Sequence, residues 1–168
     1  MEIRTAHGPA EERAAGEVTA TAYAEFGPFF DPDEWREYAA TLPVPAPRVA
    51  QGELLVAVDE DGTVAGTVTL YLSPQPTSGH WRATDAVIRF LAVTPERRGE
   101  GIGAALLREC LERAAAAGRR RLALQTTLPM VAAIHMYERS GFQRDFDGDM
   151  VAGSFVLHGY AKDLRPDA

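Results

Sequence analysis

Phe90-Leu91-Ala92-Val93-Thr94-Pro95-Glu96-Arg97-Arg98-Gly99-Glu100-Gly101-Ile102-Gly103-Ala104 is the stretch on which the reading of this chain turns. The nearly continuous apolar run Ala86 to Val93 predicts a central strand, and Thr94-Pro95 ends it because proline disfavours further regular pairing. From Gly101 onward Ile102, Leu106, Cys110, Leu111 and Ala114 form one helical stripe, which closes at Gly118, the expected residue just past a helix end. Strand, glycine-rich turn and helix therefore form one unit. Glycines at 99, 101 and 103 let the backbone approach a ligand closely. Successive N–H groups at the helix start, with the positive end of the helix dipole behind them, make an anion site that suits a pyrophosphate. The dipole contributes only about 0.3 to 1 kcal/mol. Affinity must come mainly from several N–H bonds and from Arg97 or Arg98. The plainer reading is a glycine-rich turn without a ligand.

Two other phosphate motifs fail here. A nucleotide P-loop needs Lys and then Ser or Thr after its last glycine, and Gly103 is followed by Ala104-Ala105. A dinucleotide fingerprint begun at Gly101 wants Gly or Ala where Leu106 stands, and the next strand ends in Gln125-Thr126-Thr127 without a ribose-binding acid.

Upstream, Met1 to Ala6 predicts a short strand, and Pro9 with Glu11 and Glu12 predicts the first turn of a helix that runs toward Phe26 and stops at Gly27-Pro28. Asp31 or Asp33 caps a second helix carrying Trp35, Tyr38, Ala39 and Leu42, and Pro43, Pro45 and Pro47 make an extended connector. Glu53 to Asp59 and Thr63 to Leu72 flank Asp61-Gly62 as a hairpin. Ser73 to Thr84, with His80 and Trp81, reads as a surface loop. Downstream, Leu122 to Thr126 is a strand and Met130 to Arg139 a short helix ended near Gly141. Phe142 to Phe146 and Ser154 to Asp163 form a closing strand pair. The sum is an α/β fold with a mixed, mostly antiparallel central sheet and helices on both faces, in one domain over residues 1–168.

Composition narrows the class. The 168 residues suffice for a continuous core, and no stretch approaches the roughly 18 apolar residues of a membrane span. The start lacks the basic and apolar blocks of a secretory signal, so a soluble cytoplasmic protein with no membrane partner is expected. Cys110 is the sole cysteine, and with four scattered histidines no zinc ligand set exists, so no metal is expected. A net charge of -7 argues against nucleic acid as a partner. The charge is uneven: residues 1–60 hold 12 acidic and 4 basic side chains, whereas Arg89 to Arg121 hold 8 arginines against Glu96, Glu100, Glu109 and Glu112. A small anion in the middle and a cation near the N-terminal half suit this field, as do solvated helix faces.

With Arg98, Gly101 and Gly103 at the spacing Arg or Gln, two residues, Gly, one residue, Gly or Ala, the chain resembles the GNAT superfamily of acetyl-CoA-dependent N-acetyltransferases. Phe90-Leu91-Ala92-Val93 and Pro95 before the motif, and Ala133, Tyr137, Gly141 and Phe142 after it, extend the resemblance over about the central third of the chain. The resemblance implies acetyl-CoA as co-substrate. It implies a cofactor site at Leu91, Ala92, Val93, Arg98, Gly99, Gly101, Ile102, Gly103 and Ala104, where the backbone of Leu91 to Val93 meets pantetheine and the thioester carbonyl. Tyr137 matches the family's tyrosine beside the sulfur, and its ordinary pKa near 10 keeps it protonated yet able to give a proton to the leaving thiolate. Its plainer role is a core aromatic beside Met130, Ile134 and Met136.

The chain departs from the family pattern where Met130 stands for a common Asn and Val87 for a common Glu base. Asp85 or Glu25 could then serve as base through water. His135 lies on another helix face than Tyr137, and Cys110 reads as a small core residue rather than an acyl carrier. Tyr23, Phe26, Phe29, Phe30, Trp35 and Tyr38, with Glu25, Asp31, Asp33 and Glu34, could attract a cationic amine or simply pack helices. The resulting expectation is direct acetyl transfer in a ternary complex to a small-molecule amine. The alternatives are a protein N-acetyltransferase and a non-catalytic acetyl-CoA sensor or regulatory subunit, and a homodimer is compatible with each.

Overall fold

A computed structural model describes residues 1–73 and 81–164. The backbone falls into two compact units, one of residues 1–70 with 90–109 and one of residues 71–89 with 110–168. The surface-loop reading of Ser73 to Thr84 falls mostly on residues 74–80, His80 among them, which lie outside the described residues.

In the first unit, β1 (Glu2–Thr5), β2 (Glu53–Val58) and β3 (Val64–Tyr71) pair antiparallel, and β3 neighbours β4 (Asp85–Val93), whose last four residues belong here. The hairpin turns at Gly62, which takes φ +86°, a conformation glycine adopts without steric cost. Helix α1 (Gly8–Tyr23) lays Ala15, Val18 and Ala22 against Leu54, Val56 and Val58 of β2, Val64 of β3 and Ala92 of β4. A 3-10 segment, Ala24–Phe29, prolongs α1, with Gly27 and Pro28 inside it rather than beyond it. Helix α2 (Pro32–Thr41) starts where expected, and of the two candidate caps it is Asp31 whose carboxylate accepts from the N–H groups of Asp33 and Glu34. The Pro43 to Pro47 stretch is not wholly extended. Pro45 and Pro47 flank the start of a one-turn helix, α3 (Ala46–Val49), because proline in a first turn forfeits no intrahelical bond.

Gly66 in β3 has a structural duty that the sequence pattern does not mark. A Cβ there would lie 2.9 Å from Ile102, 3.0 Å from Leu106 and 3.2 Å from the Ala92 carbonyl. Only a bare backbone lets the strand lie this close to α4 (Ile102–Ala116).

In the second unit β4 pairs parallel with β5 (Arg121–Thr126) over Asp85 to Val87, and β5 pairs antiparallel with β8 (Phe155–Asp163). Beyond β8 come β6 (Gln143–Arg144) and, on a separate ladder, β7 (Met150–Ala152). The expected closing pair is therefore three strands. The Phe142 to Phe146 strand shortens to two residues and gives way to a 3-10 turn at Phe146–Gly148, after which β7 folds back on β8. Helix α5 (Val131–Arg139) is followed by Gly141 at φ +86°. The mixed, mostly antiparallel sheet with helices agrees with the expected fold class.

A polar cluster lies inside this second unit. Asp85 is fully buried, and its two carboxylate oxygens accept from Arg121 Nε at 3.0 Å and Nη2 at 2.9 Å, while Arg121 Nη2 also donates to Asp145 at 2.9 Å. These bonds, Asp85 first, raise the Arg121 pKa above its ordinary value.

Candidate functional site

The glycine-rich turn takes the shape its composition suggests. Gly99 and Gly101 both sit at φ +82°, and a Cβ built on either meets nothing within 4 Å, so the turn presents bare backbone to open space. A 3-10 turn, Pro95–Arg97, leads in, and α4 begins at Ile102 with Ala105 N–H bonding the Gly101 carbonyl at 3.0 Å. The N–H groups of Ile102, Gly103 and Ala104 thus precede the helix's hydrogen-bond ladder and are available to an anion. Ile102 is buried and anchors the turn, whereas Gly103 and Ala104 are half-buried.

The two arginines of the turn separate in role. Arg97 is bound to both oxygens of Glu100 at 2.8 Å and also pairs with Asp59 at the end of the β2–β3 hairpin. Those carboxylates, Glu100 first, raise its pKa and neutralise it, so Arg97 fastens the turn to the hairpin rather than serving as a free phosphate cation. Arg98 is 42% exposed, pairs with Glu25 at 2.7 Å and donates to the Ala22 carbonyl at 3.1 Å. Of the pair that sequence left open, Arg98 is the more exposed and has one carboxylate partner where Arg97 has two. The same contact engages Glu25, one of the two candidate bases.

Leu91, Ala92 and Val93 form the end of β4 in the same unit, Ala92 buried and its neighbours half-buried. Immediately before them Phe90 takes φ +56°, the sole non-glycine residue with positive φ among the described residues. For an aromatic residue this costs on the order of 1–3 kcal/mol and persists only where surroundings hold it. The Phe90 ring carries the Arg48 guanidinium at 4.4 Å and lies 6.5 Å from the Tyr23 ring, and Tyr23 donates its hydroxyl to the Leu91 carbonyl at 3.3 Å. Sequence reasoning missed Arg48 and the turn of the backbone at Phe90. A lone arginine after a run of spaced prolines carried no signal, and no pattern rule marks a left-handed phenylalanine.

The aromatic group on the N-terminal helices is real in space. Phe30 and Trp35 stack at 5.5 Å with 6° between planes, Tyr38 lies 5.7 Å from Trp35, and Tyr23 meets Phe26 edge-on at 6.3 Å. Trp35 packs over Gly27, where a Cβ would fall 2.7 Å from its indole nitrogen. Phe29 remains 66% exposed.

In the second unit Tyr137 is buried on α5, its ring 5.8 Å from Phe142. Burial pushes its hydroxyl above the ordinary value of 10, and nearby Cys110 adds to the rise. It is thus a firmly protonated phenol, a weaker acid at rest than its unperturbed value suggested. Cys110 is completely buried, as a core residue should be. Met130 stands at the head of α5 without a side-chain capping bond and accepts a weak contact from the Thr126 hydroxyl at 3.6 Å. Val87 is buried in β4, and His135 is exposed. Asp85 is corrected as a candidate base: it is fully buried, with both carboxylate oxygens held by Arg121. Among the described residues no group of three or more His, Cys, Asp or Glu could hold a metal, and no helix is long and apolar enough to cross a membrane.

Comparison with known proteins gives a consistent picture. A family model described as acetyltransferase (GNAT) family matches residues 17–142. A streptothricin acetyltransferase from Streptomyces lavendulae is 36% identical over 93 residues, 55% of this chain and 46% of that protein, so the match spans less than half of the relative's length. Among solved structures, a GNAT-family acetyltransferase from Staphylococcus aureus Mu50 superposes with a TM-score of 0.72 at 17% identity, covering 98% of this chain and 99% of the other. An aminoglycoside 6'-N-acetyltransferase in complex with coenzyme A gives 0.64 at 16% identity, covering 100% and 99%. At these identities the two structures speak to the fold.

Proposed function

Because the chain belongs to the acetyltransferase (GNAT) family, we propose that it acts as one N-acetyltransferase domain, moving an acetyl group from acetyl-CoA to a small-molecule amine by direct attack in a ternary complex. The observation that carries this reading is the bare backbone at Gly99 and Gly101, both at φ +82°, opening onto the N–H groups that start α4. Those N–H groups and Arg98 hold the pyrophosphate. The backbone of Leu91, Ala92 and Val93 lies along the pantetheine arm and supplies hydrogen bonding to the thioester carbonyl as it gains charge. Tyr137 protonates the thiolate as it leaves. Its raised pKa keeps the proton in place until sulfur becomes the stronger base.

A cationic acceptor suits the N-terminal aromatic group, with Glu25, Asp31, Asp33 and Glu34 nearby in sequence. The relative named streptothricin acetyltransferase supports a small-molecule amine over a protein one. Release of coenzyme A thiol across a panel of polycationic amines tests the reading. Acceptor-dependent release is expected, whereas cofactor binding with no thiol release from any amine would mark a sensor.

The same reading sets the outcome of two kinds of substitution. Gly101→Val introduces a branched side chain at φ +82°, and Gly103→Val places one among the N–H groups of the first helical turn. Both should abolish measurable acetyl-CoA binding by calorimetry in samples that remain folded by circular dichroism, and unchanged affinity in both would move the pyrophosphate elsewhere. Cys110→Ser should keep most activity, since a fully buried thiol cannot carry the acetyl group. An acetylated Cys110 trapped by mass spectrometry, with ping-pong kinetics, would overturn direct transfer.

A further inference from the structure

Arg48 sits in α3 with only 7% of its surface exposed. Its guanidinium lies 4.4 Å from the centre of the Phe90 ring and donates to the Leu42 carbonyl at 3.1 Å. Removing a guanidinium from water is costly, and a leucine or methionine would fill the same volume without that cost. What the cation adds over an apolar side chain includes the hydrogen bond to the Leu42 carbonyl and an attraction to the Phe90 ring face, strengthened where water is excluded. The residue under that face is the left-handed Phe90.

Phe90 stands at the point where β4 changes its pattern of burial. Asp85 to Ile88 are all buried, Arg89 is exposed, and Phe90 and Leu91 are half-buried before Ala92 turns inward again. The left-handed residue therefore sits where the continuously buried run has ended, and it turns the backbone just ahead of the Leu91, Ala92 and Val93 peptides. Contacts from distant segments hold the backbone there, among them Arg48 on the Phe90 ring and the Tyr23 hydroxyl on the Leu91 carbonyl that follows it.

We infer that Arg48 is a positioning residue for acetyl transfer: by clamping the Phe90 ring it keeps the backbone left-handed there, so that the Leu91 to Val93 peptides stay aimed at the thioester. The inference rests on the transferase reading above. Arg48 touches neither reactant and acts through Phe90.

The test uses the whole chain and exploits glycine's indifference to positive φ. Arg48→Met should lower kcat by about 10²-fold, as expected when reacting groups are misplaced on the ångström scale. Acetyl-CoA affinity by calorimetry should stay within a fewfold of wild type, because the pyrophosphate turn is intact. Arg48→Lys, which keeps a cation for the ring, should recover much of the loss. In a Phe90→Gly background the backbone adopts its conformation unaided, so adding Arg48→Met should cost little more. Amide exchange at Leu91 and Ala92, read by NMR, should rise in Arg48→Met with Phe90 present and not with glycine at 90.

Wild-type kcat in Arg48→Met, or an equal loss with Phe90 and with glycine at 90, overturns the positioning role. If Arg48→Met does not fold, Arg48→Lys decides: turnover reduced as far as in Phe90→Ala, with exchange at Leu91 unchanged, also overturns it. A wild-type protein that releases no thiol with any amine strikes instead at the transferase reading, and the positioning role falls with it.

Discussion

Replacing Tyr137 with phenylalanine is expected to slow turnover by ~10²- to 10⁴-fold with a good acceptor, under conditions where chemistry limits the rate, while acetyl-CoA affinity stays near wild type. The substitution removes one oxygen and leaves the ring against Phe142, so the core of the second unit should hold. The raised pKa sharpens the expectation. A phenol buried well enough to resist ionisation does not lose its proton within the ordinary working range, so turnover should show no fall with rising pH that traces to Tyr137. A variant with full turnover in a chemistry-limited regime would return Tyr137 to the role of core aromatic, and the thiolate would leave with a proton from water or from the incoming ammonium.

Arg121→Met should destabilise the chain by about 3–5 kcal/mol, because it strands the fully buried Asp85 carboxylate without its cation. Such a loss is large against the ~5–15 kcal/mol of a typical domain and should appear as a plainly lower urea midpoint. Replacing both partners, Asp85→Leu with Arg121→Met, should cost much less than the single change, since an apolar pair carries no desolvation penalty. Asp145 is the residue that keeps the double variant from full recovery, as it too bonds Arg121. A single variant within about 1 kcal/mol of wild type, the range of an exposed ion pair, would show that the cluster admits water.

Local features carried most of the legible fold. The β2–β3 hairpin, the β4-turn-α4 unit and the Asp31 cap each rest on residues a few positions apart, so periodicity and turn chemistry suffice. The errors came where punctuation is ambiguous. Prolines at 45 and 47 read equally as an extended connector or as the first turn of α3, and β7 is three residues long between Gly148 and Gly153. In the site, the glycine turn was legible because one backbone segment supplies it. The separation of Arg97 from Arg98 was not, since the Asp59 that neutralises Arg97 lies 38 residues away. Arg48 escaped notice for the same reason, as did the burial that removes Asp85 from the list of bases.

The double hold on Arg97 bears on how a ligand arrives. By formal count the turn is a cationic patch, yet Asp59 and Glu100 cancel one of its two arginines and Glu25 faces the other. Little unbalanced charge remains to project a field beyond a Debye length of roughly 8 Å at physiological salt. For the proposed diphosphate ligand, the two arginines of the turn therefore contribute little long-range attraction and little ionic-strength dependence to encounter. On the proposed reading, retention begins at contact, when diphosphate oxygens reach the peptide N–H groups, so the turn would discriminate by shape after collision rather than by charge before it.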